Sequence, residues 1–306
     1  MRLVFCGTAL FAVPSLRACA AHHVVAAVVT RADRAGSRGR PAPRPVADAA
    51  RELGLDLLTP ARIGAPEMVA DLLALSPDCL VVAAYGQILP SALIDPPPHG
   101  AVNVHGSLLP RWRGASPIAH AILAGDSETG VSIMRMEAGL DTGPVYSTVR
   151  VPIHGSATTP MLTATLADLG ASELVAVLAA IEGGTAVATP QPEEGVTYAP
   201  RLTRSDGVVD WVGRSAIEVD RMVRALQPWP GVLAPIDGVD VQVQAGGVAD
   251  FDPDGAPGTI VLRDGESVVM AARSGGYRID LITPAGKRAM TPAAFLRGRH
   301  SREANR

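Results

Sequence analysis

Short apolar runs that alternate with amphipathic helical stretches restrict the fold of this chain more than any other feature. Four runs in the first half have the length and β-branched content of buried strands: Leu3–Cys6, Val24–Val29, Leu80–Ala84 and Ala101–Val104. Strands that are apolar on both faces and joined through helices form parallel sheets covered on both sides. The sequence therefore predicts an α/β domain with a doubly wound, mostly parallel sheet, whose ligands bind beyond the carboxyl ends of its strands.

A change of pattern divides the 306 residues into two predicted domains. A helical stripe over 158–181 is expected to close the first domain, and a polar stretch rich in proline and glycine follows it over 183–200. After a helix that begins at Ser215 and ends near Gln227, only short alternating strands remain, which is typical of a small β-barrel. We therefore expect three segments: a catalytic domain over 1–188, a linker over 189–207 and a C-terminal β-barrel over 208–306.

Composition narrows the class of protein. A hydrophobic fraction of 47% with 19% charged residues is typical of a compact soluble chain. No uncharged apolar stretch reaches the roughly 18 residues that a membrane span needs, and the opening residues predict a buried strand and a helix rather than a signal peptide. We therefore expect a cytoplasmic protein without a membrane partner.

Cys6, Cys19 and Cys79 lack metal-ligand spacing and lie mostly in apolar runs, which predicts buried free thiols.

The segment richest in chemistry is NVHGSLLPRWRG, which begins at Asn103. Because side chains alternate along a strand, Asn103 and His105 share one face, about 6–7 Å apart, at the carboxyl end of a predicted strand. A second segment, GLDTG, places Asp141 in a glycine-flanked loop between two apolar strands. Acyl transfer to an amine needs donors for an oxyanion, an acceptor for the amine proton and a proton shuttle. Asn103, His105 and Asp141 provide these groups and are the candidate catalytic residues.

The strings NVHGSLLPRWRGASPI and GVSIMRMEAGLDTGPV resemble the signature of the folate-dependent formyltransferase family. The strings VFCGTALFAVPSL, TYAPRLTRSDGVVDW and KRAMTPAAFLRG extend the resemblance, over nearly the whole chain, to the members that act on initiator tRNA. The resemblance implies that Asn103, His105 and Asp141 transfer a formyl group from the co-substrate 10-formyltetrahydrofolate. It also implies a formyltransferase-type, Rossmann-like first domain and a tRNA-binding C-terminal barrel of the OB type.

The same resemblance implies which loops hold the folate. Two loops would border it: Pro110, Arg111, Trp112 and Arg113, and Tyr85, Gly86, Gln87, Ile88 and Leu89. The pterin ring would lie between the second of these loops and the loop that carries Asp141. These folate-binding residues are inherited from the family pattern and do not follow from spacing.

A cluster of arginines after the second predicted strand indicates which kind of molecule the protein binds. Its members are Arg31, Arg34, Arg38, Arg40 and Arg44. Glycines and prolines between them disfavour regular structure, so we expect a cationic loop near the edge of the active site. Such arginines suit the phosphates of an acceptor stem, and the family resemblance favours methionyl initiator tRNA over a solvated loop without a partner. Typical members carry a lysine in a PVK string after this loop, whereas this chain has Ala47, so no role of that lysine is carried over.

Three other functions fit the sequence less well than formyl transfer to tRNA. A formyltransferase acting on an amino sugar nucleotide shares the catalytic residues and the two-domain layout, and the arginine loop argues against it. A non-enzymatic RNA-binding protein gives no reason for Asn103, His105 and Asp141 to occur together. The sequence Asp-Thr-Gly occurs once, so an aspartic protease would lack its second carboxylate. The histidines show no metal spacing and Gly7-Thr8-Ala9 completes no nucleotide motif, so we expect no metal and no dinucleotide. We also expect a monomer.

Overall fold

The computed structural model describes residues 1–32 and 44–303, which divide into two compact units. The first unit consists of three segments: Met1–Ile118, Ser127–Ile153 and Met161–Pro200. The second unit also has three segments: Ala119–Asp126, His154–Pro160 and the chain from Arg201 onward. Because the first unit extends to Pro200, it includes much of the stretch expected to be a linker.

Nine strands belong to the described part of the first unit. They are β1 (Arg2–Gly7), β2 (Val24–Val29), β3 (Leu57–Leu58), β4 (Cys79–Ala83), β5 (Ala101–His105), β6 (Arg113–Gly114), β7 (Glu128–Arg135), β8 (Val145–Pro152) and β9 (Tyr198–Ala199). Seven of them form one sheet in the order β3-β2-β1-β4-β5-β7-β8. The first five in this order are parallel, and β7 and β8 are antiparallel additions at one edge. The predicted mostly parallel sheet is confirmed.

Helices connect these strands. Six of them precede residue 183 in the described chain: α1 (Val13–His22), α2 (Pro45–Glu52), α3 (Pro66–Ala74), α4 (Ser91–Ile94), α5 (Pro117–Ala124) and α6 (Thr159–Glu182). The predicted helix over 158–181 corresponds to α6. Gly170 of α6 lies against the sheet, since a Cβ added to it would be 2.9 Å from Cγ1 of Val104 and 3.2 Å from Cγ1 of Val131. By length and composition α6 could cross a membrane, but buried core helices pass the same test.

The second unit contains a five-stranded antiparallel sheet in its described residues. Its strands are β10 (Val232–Ile236), β11 (Val239–Val248), β12 (Ile260–Asp264), β13 (Ser267–Ala271) and β14 (Gly276–Pro284), in the order β10-β11-β14-β13-β12. Of the α-helices in the described residues, two lie wholly in this unit: α7 (Ala216–Ala225) and α8 (Pro292–Glu303). α7 begins at the predicted cap, because Ser215 and Glu218 bond each other's backbone N–H groups. The short strands predicted after this helix are confirmed. No pairing of β10 with β12 is seen within the described residues, so closure into an OB-type barrel stays a prediction.

The three cysteines lie in the core of the first unit. Cys6, Cys19 and Cys79 are free and buried, as predicted. Burial raises the pKa of each thiol to about 12, because a thiolate inside the apolar core would lose its hydration. These thiols are therefore part of the packing and remain protonated at neutral pH.

Candidate active site

The end of β5 carries two of the predicted catalytic side chains. Asn103 pairs with Met134 of β7 and His105 pairs with Ser132, so Asn103 and His105 project from the same face of the sheet. Both are buried, with exposed fractions of 9% and 5%. Among the described residues, the Asn103 carboxamide has no hydrogen-bond partner. A nearly buried amide without a protein partner is available to a ligand.

The loop after β5 turns back over His105. The Trp112 carbonyl accepts a hydrogen bond from His105 Nε2 at 2.9 Å, and because a carbonyl only accepts, Nε2 carries a hydrogen. Trp112 has a left-handed backbone, with φ of 62°, which is uncommon for a bulky residue. The Arg111 guanidinium stacks on the indole, with its Cζ 4.4 Å from the ring centroid. This loop therefore fixes the orientation of the imidazole.

The GLDTG loop between β7 and β8 brings Asp141 to His105. Its carboxylate oxygen Oδ2 accepts a hydrogen bond from the Gly114 backbone N–H at 2.8 Å and lies 3.6 Å from His105 Nδ1. The second separation is slightly longer than a direct hydrogen bond. A bare Nδ1 would place a lone pair opposite the carboxylate, whereas a protonated Nδ1 would point a hydrogen at it. Asp141 therefore lies where its carboxylate can orient the imidazole ring.

Residues 189–199, which we call the strap, cross both loops. The Gln191 Nε2 group donates to the backbone oxygens of Asp141 and Gly143, at 2.8 and 2.7 Å. Its Oε1 accepts from Nη2 and Nε of Arg113, at 2.7 and 3.1 Å. The Thr197 hydroxyl accepts from the Trp112 N–H at 2.9 Å. At the end of the strap, β9 pairs with β6.

The strap lies within residues 189–207, where the sequence predicts a linker. A polar stretch with prolines and glycine has no apolar period, but its backbone and side-chain groups can still bond to loops that are distant in sequence. Sequence reasoning therefore missed Gln191 and Thr197. The signal that could have found Gln191 is a lone amide in an otherwise charged and proline-rich segment, which is weak.

The second loop implied to border the folate, Tyr85–Leu89, follows β4. Tyr85 and Leu89 are turned into the core, with exposed fractions of 2% and 5%. The Gln87 carboxamide bonds two backbone groups of a neighbouring segment. Ile88 is 91% exposed. This loop thus offers its backbone and the Ile88 side chain to a ligand, while Tyr85, Gln87 and Leu89 hold its shape.

Two of the five arginines predicted to bind tRNA lie within the described residues. Arg31 packs beside the Tyr85–Leu89 loop, because a Cβ added to Gly86 would lie 3.3 Å from Arg31 Nη1. Arg44 precedes the first turn of α2, in which Ala47 is buried. The other three lie outside the described residues: Arg34, Arg38 and Arg40. Arg31 therefore lies beside a loop implied to border the folate.

A cavity of about 410 Å³ opens beside the GLDTG loop. Its lining includes Arg135, Thr142, Tyr146 and Gln191, but neither Asn103 nor His105. It is therefore distinct from the space above Asn103 and His105. In the part of the chain that the structure describes, no three His, Cys, Asp or Glu side chains are grouped so that they could hold a metal ion.

This chain is similar to known proteins over nearly its whole length. A family model described as formyl transferase matches residues 1–178, and one described as formyl transferase, C-terminal domain, matches residues 201–300. The methionyl-tRNA formyltransferase of Paracoccus denitrificans (strain Pd 1222) is 45% identical over 299 residues, which cover 97% of each chain. That of Xanthomonas campestris pv. campestris (strain 8004) is 46% identical over 301 residues, or 98% of each chain.

Solved structures share the fold at lower identity. WlaRD, a sugar 3N-formyl transferase, superposes with a TM-score of 0.69 and 15% identity over 94% of this chain and 99% of that chain. HypX from Aquifex aeolicus, in complex with tetrahydrofolic acid, gives a TM-score of 0.62 and 19% identity over 97% of this chain and 47% of that chain. These two similarities show the fold alone. From the family models and the nearly full-length relatives, the chain belongs to the formyl transferase family, in the group of the methionyl-tRNA formyltransferases.

Proposed function

We propose that this protein transfers the formyl group of 10-formyltetrahydrofolate to the amine of methionyl initiator tRNA, in support of translation initiation. The observation that carries the proposal is the meeting of an unpartnered amide, an imidazole and a carboxylate at one strand end. The nearly full-length similarity to methionyl-tRNA formyltransferases supports this amine over others.

Asn103 and His105 would stabilise the oxyanion that forms when the amine attacks the formyl carbon. The Asn103 amide can donate to this oxygen without losing a bond to any described protein group. The His105 Nε2–H already donates to the Trp112 carbonyl, and a negatively charged oxygen would be a stronger acceptor than that carbonyl. Each donor aimed at developing charge contributes on the order of 3 kcal/mol to the lowering of a barrier.

Asp141 would control the proton. Attack by the amine leaves a proton to be removed from its nitrogen, and the departing folate nitrogen has to gain one. Asp141 faces His105 Nδ1 and is held by the Gly114 N–H, so it can orient the imidazole and assist removal of the amine proton. The proton then passes to the departing nitrogen, which completes the transfer without a covalent enzyme intermediate.

Other parts of the chain would bind the folate and the tRNA. The Pro110–Arg113 and Tyr85–Leu89 loops would border the folate, and the exposed Ile88 fits an apolar contact with its ring. The five arginines of the segment from Arg31 to Arg44 would contact tRNA phosphates. The second unit would add tRNA-binding surface, and the enzyme would act as a cytoplasmic monomer, which light scattering of the purified protein tests.

The test is a transfer assay with radiolabelled 10-formyltetrahydrofolate that offers methionyl initiator tRNA and an amino sugar nucleotide side by side. We expect label in the RNA fraction and none in the sugar fraction. Uncharged initiator tRNA is the control for the amine. Transfer to the sugar nucleotide without transfer to methionyl-tRNA would overturn the proposed acceptor while leaving the formyl chemistry intact.

A further inference from the structure

The Gln191 carboxamide uses all its hydrogen-bonding groups on the two loops of the site. Its two N–H groups face the Asp141 and Gly143 carbonyls, and its oxygen faces the Arg113 guanidinium. Only one orientation of the amide satisfies these partners, because carbonyls accept and a guanidinium donates. Gln191 therefore links a loop that carries a catalytic carboxylate to a loop that orients the catalytic imidazole.

We propose that Gln191 is a positioning residue for formyl transfer, which holds the Asp141 loop against the Pro110–Arg113 loop and so sets the distance from Asp141 to His105. The inference rests on the proposed function, in which Asp141 acts through His105. Among the described residues, no hydrogen bond joins Gln191 to Asn103 or His105, and its influence on them passes through Asp141 and Arg113.

The Asp141 loop needs such a restraint. Asp141 has a left-handed backbone, with φ of 52°, and Gly139 has φ of 135°, a region that few residues other than glycine adopt. A residue in the left-handed region stays there only when its surroundings hold it. The bond from Gln191 to the Asp141 carbonyl fixes the peptide that follows the left-handed residue. Its bond to the Gly143 carbonyl fixes the peptide two residues further on.

A second link shows that the strap acts on both loops. The Thr197 hydroxyl accepts from the Trp112 N–H, and the carbonyl of the same Trp112 accepts from His105 Nε2. His105 is thus held through Trp112, and Asp141 through Gln191, by one continuous segment of chain. A small displacement of this segment would change the His105–Asp141 separation, and displacements of about 1 Å in a catalytic group can cost about 100-fold in rate.

The test replaces Gln191 with methionine, which has a similar length and none of the amide's groups. We expect kcat to fall by about 10- to 100-fold while KM for folate and for methionyl-tRNA stays within about twofold, since no substrate contact is removed. The matched control is Glu193→Met, an exposed position of the same strap, which should leave kcat unchanged. A raised KM for folate with unchanged kcat would overturn the inference, because it would make Gln191 a substrate contact.

A readout that does not depend on turnover separates this inference from the proposed function. The imidazole ¹⁵N resonances of His105 report its hydrogen bonds, and we expect Gln191→Met to shift them in the direction that Asp141→Asn does. Unchanged His105 resonances in Gln191→Met would overturn the inference, even if its activity were reduced. If Asp141→Ala retained normal turnover, the proposed role of Asp141 would fail, whereas the resonances would still test the restraint.

Each variant is checked for folding by its thermal unfolding midpoint, because lost activity in an unfolded variant would say nothing about the role of Gln191. Gln191→Glu provides the alternative, because its carboxylate keeps acceptors for Arg113 but presents no donor to the two carbonyls. We expect the same loss of kcat in Gln191→Glu as in Gln191→Met. Full activity in a folded Gln191→Glu variant would show that the two donated bonds do not position Asp141.

Discussion

Two residues of the candidate active site hold unfavourable backbone conformations. Trp112 and Asp141 both lie in the left-handed region, which costs an ordinary residue roughly 1–2 kcal/mol. The Trp112 carbonyl receives His105 Nε2, and the Asp141 carboxylate receives the Gly114 N–H. Strain of this kind persists where the surrounding structure holds it, and it is frequent at sites where side-chain direction matters.

Removal of the Asp141 carboxylate tests the most specific part of the mechanism. We expect Asp141→Ala to lower kcat by about 10²- to 10⁴-fold, because the imidazole loses its orienting acceptor and no carboxylate assists removal of the amine proton. Folate binding should change less than about threefold, since the substituted group faces His105. Steady-state kinetics measure the first quantity and quenching of tryptophan fluorescence by folate measures the second. Near-normal turnover would show that Asp141 is a loop residue without a catalytic role.

The sequence predicted some site residues and missed others for a physical reason. Asn103 and His105 are two positions apart on a strand, so alternation alone places them on one face. Gln191 bonds Gly143, Asp141 and Arg113, which are 48, 50 and 78 positions away. Such contacts depend on how the chain returns after α6, which no local pattern records. The distance in space between Asp141 and His105 could likewise not be predicted from the sequence.

The helix α6 is apolar enough, by length and composition, to cross a membrane, and its packing in the core explains this composition. Its buried positions include Leu166, Leu174 and Leu178, and Gly170 allows the helix backbone to approach Val104 and Val131. The 3.6-residue period predicted the buried face correctly. The need for a residue without a Cβ at position 170 could not be predicted, because it depends on the side chains of two strands distant in sequence.

Enlargement of Gly170 tests this packing. We expect Gly170→Leu to lower the free energy of unfolding by about 3 kcal/mol or more, because its first carbon already lies inside normal contact distance of Val104. The better helix propensity of leucine offsets this by about 1 kcal/mol at most. Urea denaturation followed by circular dichroism measures the change. Ala164→Leu, at an exposed position of α6, is the control and should be close to neutral; equal stability of the two variants would refute the close approach.

For the whole molecule, the sequence predicted the two sheets, whereas the assignment of segments to the two units depends on contacts between distant parts of the chain. The apolar runs and the later antiparallel strands indicated where each sheet begins, and the structure confirms both. Two short segments, Ala119–Asp126 and His154–Pro160, group with the second unit although they precede it in sequence. Local patterns cannot show this, because membership in a compact unit is decided by contacts between distant parts of the chain.

Binding of tRNA is the property that involves the whole molecule, and its dependence on salt tests the arginine segment. Replacement of Arg38 and Arg40, which lie outside the described residues, by alanine removes two charges that would otherwise displace counterions from RNA. We expect KM for methionyl-tRNA to rise by about tenfold at low salt, and the plot of log affinity against log salt concentration to become less steep by about 1 to 2. Folate binding should be unchanged. Arg17→Ala removes an exposed arginine that pairs with Glu52 in the first unit and serves as the control. An unaltered salt dependence in the double variant would mean that these arginines do not contact the RNA, and the affinity would then have to come from other cationic surface.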